Sequence, residues 1–171
     1  MLKVKTYSAR AESKDFSYTH VLPFHDGKCK NLHGHNGKLG IEVTISSEGF
    51  EVNDQQFSID FKILKNFLKE IDDMFDHKLI VSDLNQKNEA ESNFIIDRED
   101  GQSIFIDLPE SSVIVLPGIK WTSSESILYW IAENKIPELL KKVPFSLEHI
   151  VKVKLWFAET NNNIAEIVLE P

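Results

Sequence analysis

The run HGHNGKLGIEVTISS, residues 33–47, reads in two halves. From Lys38 onward apolar and polar side chains alternate. Leu39, Ile41, Val43 and Ile45 share one face of an extended chain, and Glu42, Thr44 and Ser46 the other. A period of two marks a half-buried strand. The first half places His33 and His35 two residues apart, so both imidazoles leave one face of an extended chain, with Gly34 adding no side chain opposite.

Toward the N-terminus, LKVKTYSA (2–9) alternates as well, and FSYTHVL (16–22) reads as a further extended piece. A hairpin-like return through residues 23–31 would set His20 opposite the histidine pair. Downstream the period changes. In SIDFKILKNFLKEIDDMFDH (58–77), Phe61, Leu64, Leu68, Ile71 and Phe75 recur every three or four residues, which lines one face of a helix. Ser58 and Asp60 are equal candidates to cap its start, and His77 falls at its exit.

Residues 82–92 are polar and read as a loop. NFIIDREDGQSIFIDLP (93–109) is either a hairpin around its Asp-Gly or one irregular strand, and SVIVLP (112–117) is another buried extended run. A second helix starts at Ser123 or Ser124 and meets a bend or break at Pro137. Two closing strands, IVKVKLWFAE and NIAEIVLEP, flank the polar turn TNNN. Strands, helix, strands, helix, strands is an α+β order in which helices cover one face of an antiparallel sheet. No repeat or linker divides the 171 residues, so one domain over 1–171 is expected.

Charge and composition narrow the function. A formal charge of -8 argues against a nucleic-acid footprint, which needs concentrated positive charge. Lys28, Lys30 and Lys38 surround the histidine segment and either hold a small anion or are simply solvated. The single cysteine, Cys29, cannot form an intrachain disulfide, which favours a reducing compartment. The first residues lack the apolar core of a signal peptide and no apolar run reaches membrane-spanning length, so the expectation is a cytoplasmic protein with no membrane partner.

His20, His33 and His35 admit three readings: a three-histidine zinc site with one open position, a closed site with Cys29 as fourth ligand, or ordinary turn, packing and surface histidines. His25, beside Asp26, has no distinctive spacing and reads as structural or solvent-facing. Cys29 separates the two metal readings. Bound to the metal it saturates a structural site; farther away, with Lys28 and Lys30 beside it, it is a thiolate nucleophile or proton acceptor. Asp76 next to His77 either orients a basic imidazole or belongs to a helix end whose dipole favours a cation.

Taken together, FSYTH, CKNLHGHN, FDHKLI, TSSES and FAETNNNIAEI resemble the 6-pyruvoyl-tetrahydropterin synthase family, which includes 6-carboxytetrahydropterin synthase, over nearly the whole chain. The resemblance implies zinc bound by His20, His33 and His35, and catalysis by Cys29 with the Asp76–His77 pair. It implies pterin anchoring by Glu125 and Glu159, since a carboxylate accepts two hydrogen bonds from the pterin edge. On residue type alone, Glu125 is also a favourable first-turn glutamate and Glu159 a sheet-edge or turn carboxylate.

The same resemblance implies the tunnelling fold: a four-stranded antiparallel sheet with two helices on one face, closed between subunits into a barrel. Its homo-oligomer would be a hexamer built as a dimer of trimers, with active sites between subunits. The implied substrate is 7,8-dihydroneopterin triphosphate. Three residues separate Cys29 from His33, as in the branch that yields 6-carboxy-5,6,7,8-tetrahydropterin, acetaldehyde and triphosphate and serves the queuosine and 7-deazaguanine pathway. The alternatives are the 6-pyruvoyl product by triphosphate elimination, a 6-hydroxymethyldihydropterin-forming enzyme, which often carries glutamate where this chain has Cys29, a noncatalytic pterin-binding protein, and a purely structural zinc protein. The chain departs from the pattern in three places. Gly37 stands where an aromatic is common, TSSES lacks a proline and a following Asn, and residues 88–112 read as an insertion able to cover the cleft or alter assembly.

Overall fold

The computed structural model of the chain describes residues 3–51, 57–85 and 93–171. Its centre is β3 (His33–Ser46), the alternating strand. One edge of β3 is covered by two strands in line: β1 (Thr6–Glu12) pairs antiparallel with residues 40–46, and β2 (Phe16–His20) with residues 33–37. On the other edge run β8 (Ile150–Thr160) and then β9 (Asn163–Leu169), both antiparallel.

The sheet does not stop at four strands. β4 (Lys78–Ser82) adds to β2 in parallel, and β7 (Val113–Leu116) adds to β4 in parallel. The result is an open seven-stranded mixed sheet in the order β7-β4-β2-β3-β8-β9, with β1 beside β3. This corrects the expected four-stranded antiparallel sheet closed into an intersubunit barrel: among the described residues no sheet is closed into a barrel. The physical reason lies in β4 and β7. KLIVS and VIVL are short apolar runs without alternation, which suits strands covered on both faces and paired in parallel. Ile80 and Ile114 pack into the main core, while Leu79, Val81, Val113 and Val115 turn to the opposite face.

The helices cover the main-core face. α2 (Phe61–Phe75) begins where the Asp60 carboxylate accepts the Lys62 N–H at 2.8 Å, which settles the cap in favour of Asp60. It buries Leu64, Phe67, Leu68, Ile71 and Phe75. Phe61 is instead 54% exposed, and Phe67, next to Leu68 on the inward stripe, takes its place. α3 (Ser124–Asn134) is capped by Ser123 and packs on β8 and β9. It ends at Lys135, after which Pro137 lies in the first turn of a new short helix, α4 (Ile136–Leu140), where its missing N–H costs nothing. A short helix α1 (Ser47–Glu51) follows β3 directly.

β5 (Asn93–Asp97) and β6 (Ser103–Asp107) form a separate antiparallel hairpin. Its Phe94, Ile96 and Ile106 pack with Val21, Leu79 and Val81 in a second apolar cluster on the face of β4 away from the helices. Of the stretch expected to be an insertion, residues 88–92 lie outside the described residues. No helix is long and apolar enough to cross a membrane among the described residues.

Candidate metal centre and active site

The register of β2 against β3 builds the centre. His20 stands directly opposite His33, and Tyr18 opposite His35, so side chains from alternate positions of two strands meet on one face. Ring centroids lie 4.6 Å apart for His20 and His33, 5.2 Å for His20 and His35, and 4.9 Å for His33 and His35. One ring nitrogen from each histidine lies within 4.8 Å of the others.

The tautomers are set by the second nitrogen. His20 Nδ1 is 2.7 Å from the Thr122 carbonyl and His33 Nδ1 is 2.8 Å from the Asn31 carbonyl. A carbonyl only accepts, so each Nδ1 carries the proton and each Nε2 keeps its lone pair. The Nε2 atoms of all three histidines are buried and have no hydrogen-bond partner. Three orphaned, convergent imidazole lone pairs fit a metal ion, and oriented Nδ1–H groups are the usual supports of metal-bound histidine. Burial pushes His20 down to about 4 against the raising effect of its Thr122 bond, and burial also lowers His35, so the neutral, ligating form prevails.

Among the described residues the metal-competent cluster comprises only His20, His33 and His35, and Cys29 is not part of it. Cys29 sits half-buried in the single 3₁₀ turn Lys28–Lys30 of the β2–β3 loop. Lys30 is paired with Asp100 at 3.3 Å and Lys38 with Asp15 at 3.3 Å. His25 Nδ1 accepts the Gly27 N–H at 2.8 Å, a local turn contact.

Glu159, near the end of β8, faces the cluster: its Oε1 lies 4.0 Å from His20 Nε2. The same oxygen accepts a 2.6 Å hydrogen bond from the buried Ser124 hydroxyl. The segment entering α3 therefore supports both partners, Thr122 through the His20 ring and Ser124 through the Glu159 carboxylate. Tyr18, beside His20 and His35, has a buried hydroxyl without a partner, and burial and then Glu159 raise it far above the ordinary phenol range. Glu125 is exposed in the first turn of α3, where a negative charge favours the helix terminus.

Asp76 and His77 follow α2. His77 has φ of 58°, a left-handed residue that ends the helix and is held by its N–H on Ser17 O at 2.6 Å. Asp76 accepts the Ser17 N–H at 2.9 Å through one oxygen and lies 2.9 Å from His77 Nδ1 through the other. The Ser17 N–H and then His77 hold its carboxyl below the usual range. His77 helps line a cavity of about 610 Å³ with Ser17, Tyr18, Thr19, Gly34, His35 and Asn36, while Cys29 is not among its lining residues. Ser17 and Thr19 alternate with Tyr18 and His20, so the Ser17 and Thr19 side chains leave the face of the β2–β3 pair opposite the histidine rings.

Gly37 is explained by its neighbours. A Cβ there would meet the Phe157 ring at 2.8 Å and the Tyr18 ring at 2.9 Å, so two rings already fill the space. Sequence reasoning missed Ser124, Thr122 and Asn31, because each acts through a contact with a distant strand or through its backbone carbonyl, and neither leaves a spacing signal.

An α+β sheet that converges three unpartnered imidazoles beside a held carboxylate is the scaffold of a candidate metal-centred enzyme. The 6-pyruvoyl tetrahydropterin synthase model matches residues 10–170. A provisionally named 6-carboxy-5,6,7,8-tetrahydropterin synthase of Pyrococcus abyssi is 31% identical over 158 residues, covering 92% of this chain and 87% of that protein. The 6-carboxy-5,6,7,8-tetrahydropterin synthase of Haemophilus influenzae is 43% identical over 85 residues, covering 47% of this chain and 56% of that protein. In fold, the chain is similar to the Plasmodium falciparum 6-pyruvoyl tetrahydropterin synthase structure, with a TM-score of 0.72, 24% identity, and coverage of 98% of this chain and 100% of that one. The chain belongs to the 6-pyruvoyl tetrahydropterin synthase family, a family of pterin-processing lyases.

Proposed function

We propose that this chain is a zinc-dependent lyase acting on the side chain of 7,8-dihydroneopterin triphosphate, with triphosphate elimination of the 6-pyruvoyl-tetrahydropterin synthase type as its reaction. The observation that carries this is the set of three buried, partnerless Nε2 atoms of His20, His33 and His35, with Cys29 outside the set and Glu159 beside it. Three protein ligands leave a position for substrate, whereas a fourth would make the site structural.

His20, His33 and His35 hold the zinc, which when bound supplies Lewis-acid polarisation of the substrate side-chain oxygens. Glu159, with Oε1 engaged by Ser124, offers its other oxygen to the amino and ring N–H edge of the pterin, and Glu125 is the second carboxylate assigned to that edge. Cys29, between Lys28 and Lys30, removes a side-chain proton as thiolate. His77, oriented by Asp76 at 2.9 Å, serves as the other acid and base. Active sites are assigned between subunits, with this pair supplied by a second copy within a homo-oligomer, a hexamer of two trimers. Residues 1–171 are assigned to one domain.

The family description over residues 10–170 supports the elimination chemistry more directly than any one product. A second reading, the 6-carboxy product with loss of acetaldehyde and a place in 7-deazaguanine synthesis, is favoured by the names of the curated relatives and by the three-residue gap between Cys29 and His33. Mass spectrometry of the pterin formed by zinc-loaded protein and its Cys29→Ala variant tests both. A 6-pyruvoyl product lost in the variant supports the elimination, a 6-carboxy product lost in the variant supports the second reading, and no turnover by folded, zinc-loaded protein overturns the reaction.

A further inference from the structure

The β5–β6 hairpin does more than cover the outer face of β4. Its turn, Arg98–Gln102, lies against the loop that carries Cys29, and it holds that loop from both sides. On the side leaving β2, the Glu99 N–H reaches the Pro23 carbonyl at 3.4 Å. On the side entering β3, Asp100 pairs with Lys30 at 3.3 Å and Arg98 donates to the Asn31 side-chain oxygen at 3.3 Å. Arg98 also pairs with Asp100, which ties the two grips together. The Arg98 side chain is only 10% exposed. Its terminal nitrogens are engaged, Nη1 by Asn31 and Nη2 by Asp100, while its buried Nε has no hydrogen-bond partner, so the grip is made by the end of the guanidinium.

The gripped residues are the neighbours of the chemistry. Lys30 follows Cys29 directly, and the Cys29 carbonyl accepts the Leu22 N–H at 2.9 Å, closing the loop on itself. Asn31 is held by Arg98 through its side chain while its backbone carbonyl accepts from His33 Nδ1 at 2.8 Å. The hairpin turn thus touches the residues that set the thiol and one of the three metal-competent imidazoles. Behind the turn, Phe94, Ile96 and Ile106 anchor the hairpin against Val21, the residue after His20. The grip is therefore fixed to the residue that follows His20, another of the three imidazoles.

We infer that the β5–β6 hairpin is a clamp on the Cys29 loop, with Arg98 as a positioning residue that holds the thiol in a fixed relation to the histidine cluster. The functional meaning of that clamp rests on the pterin-lyase reading, but the clamp itself is testable without turnover. Arg98 acts on Asn31 directly and on Lys30 through Asp100.

The test is the rate of Cys29 alkylation by iodoacetamide in the full chain, with and without zinc, for wild type, Arg98→Ala, Arg98→Lys and Ser103→Ala. Ser103 bonds Asp97 at 2.7 Å across the base of the turn, and its loss controls for hairpin stability. Release of the loop raises the Arg98→Ala rate about fivefold, the ratio expected from losing one hydrogen bond to the exposed Asn31 side chain. Arg98→Lys falls between wild type and Arg98→Ala, and Ser103→Ala matches wild type. An unchanged rate in Arg98→Ala, or an equal rise in Ser103→Ala, overturns the clamp. Should Arg98→Ala fail to fold, Asp100→Asn removes the pairing to both Lys30 and Arg98 at constant size and carries the same expectation. Absence of turnover in wild type would remove the pterin-lyase reading while leaving the alkylation result to judge the clamp.

Discussion

Replacing His20 by Ala should abolish most of the stabilisation that zinc confers. In the metal-free chain, three buried Nε2 atoms face one another with no hydrogen-bond partner, so an ion bound there binds the folded state far better than the unfolded one. Free zinc at about a thousand times its Kd stabilises the fold by ~4 kcal/mol. In a chain of this size each kcal/mol moves Tm by roughly 2–4 °C, which gives a zinc-dependent rise of about 8–16 °C. The His20→Ala variant keeps two imidazoles and loses the one whose Nδ1–H is anchored to Thr122, so its rise should shrink to a few degrees at the same zinc activity. Each protein is compared with its own metal-free form by differential scanning calorimetry, which removes the cost of the cavity left by the substitution. A rise in His20→Ala equal to that of wild type would refute the assignment of His20 as a ligand.

Three further outcomes are expected. Ser124→Ala removes the 2.6 Å bond to Glu159, whose side chain is 21% exposed; with solvent replacing part of that bond, about 1–1.5 kcal/mol is lost. That loss weakens 7,8-dihydroneopterin binding about five- to twelvefold by calorimetry without changing zinc affinity. Asp72 is pushed up to about 6 by burial, with Asp73 and Asp76 adding to the rise and Ser13 and Lys69 opposing it. The folded chain therefore holds that proton more tightly than the unfolded chain, and stability falls as pH climbs through this range. Asp72→Asn should flatten the fall and stabilise at pH 8 by about 1 kcal/mol, discounted for solvent reaching a half-buried group, as read from urea midpoints. Gly40→Ala places a Cβ 1.9 Å from the Trp156 ring and should cost about 1–3 kcal/mol by the same measurement, with a fall near zero showing that the ring can move.

The elements legible in the sequence are those with a clean period. Leu39, Ile41, Val43 and Ile45 declare β3, and all four are fully buried. Leu64, Leu68, Ile71 and Phe75 declare α2. Val113–Leu116 was legible as a buried extended run, but its parallel pairing with Lys78–Ser82 was not, because neither run alternates and the partner is chosen by tertiary packing on two faces. Barrel closure rested on resemblance alone, and the mixed sheet overturns it. Of the site, the pair His33 and His35 announced itself through spacing on a strand, and His20 joined it through register. The orienting groups, Thr122, Asn31 and Ser124, were silent. Two act through backbone carbonyls, which every residue possesses, and the third bonds a carboxylate 35 residues away.

The proposed chemistry turns on whether the metal centre is open or closed. X-ray absorption at the zinc edge of the zinc-loaded wild-type protein reads this directly. Three imidazole nitrogens and one light-atom ligand, with no sulfur scattering, are the result predicted by the separation of Cys29 from the histidine cluster. A sulfur at about 2.3 Å would place Cys29 on the metal, make the site structural, and contradict both the open position and the thiolate's role as a base.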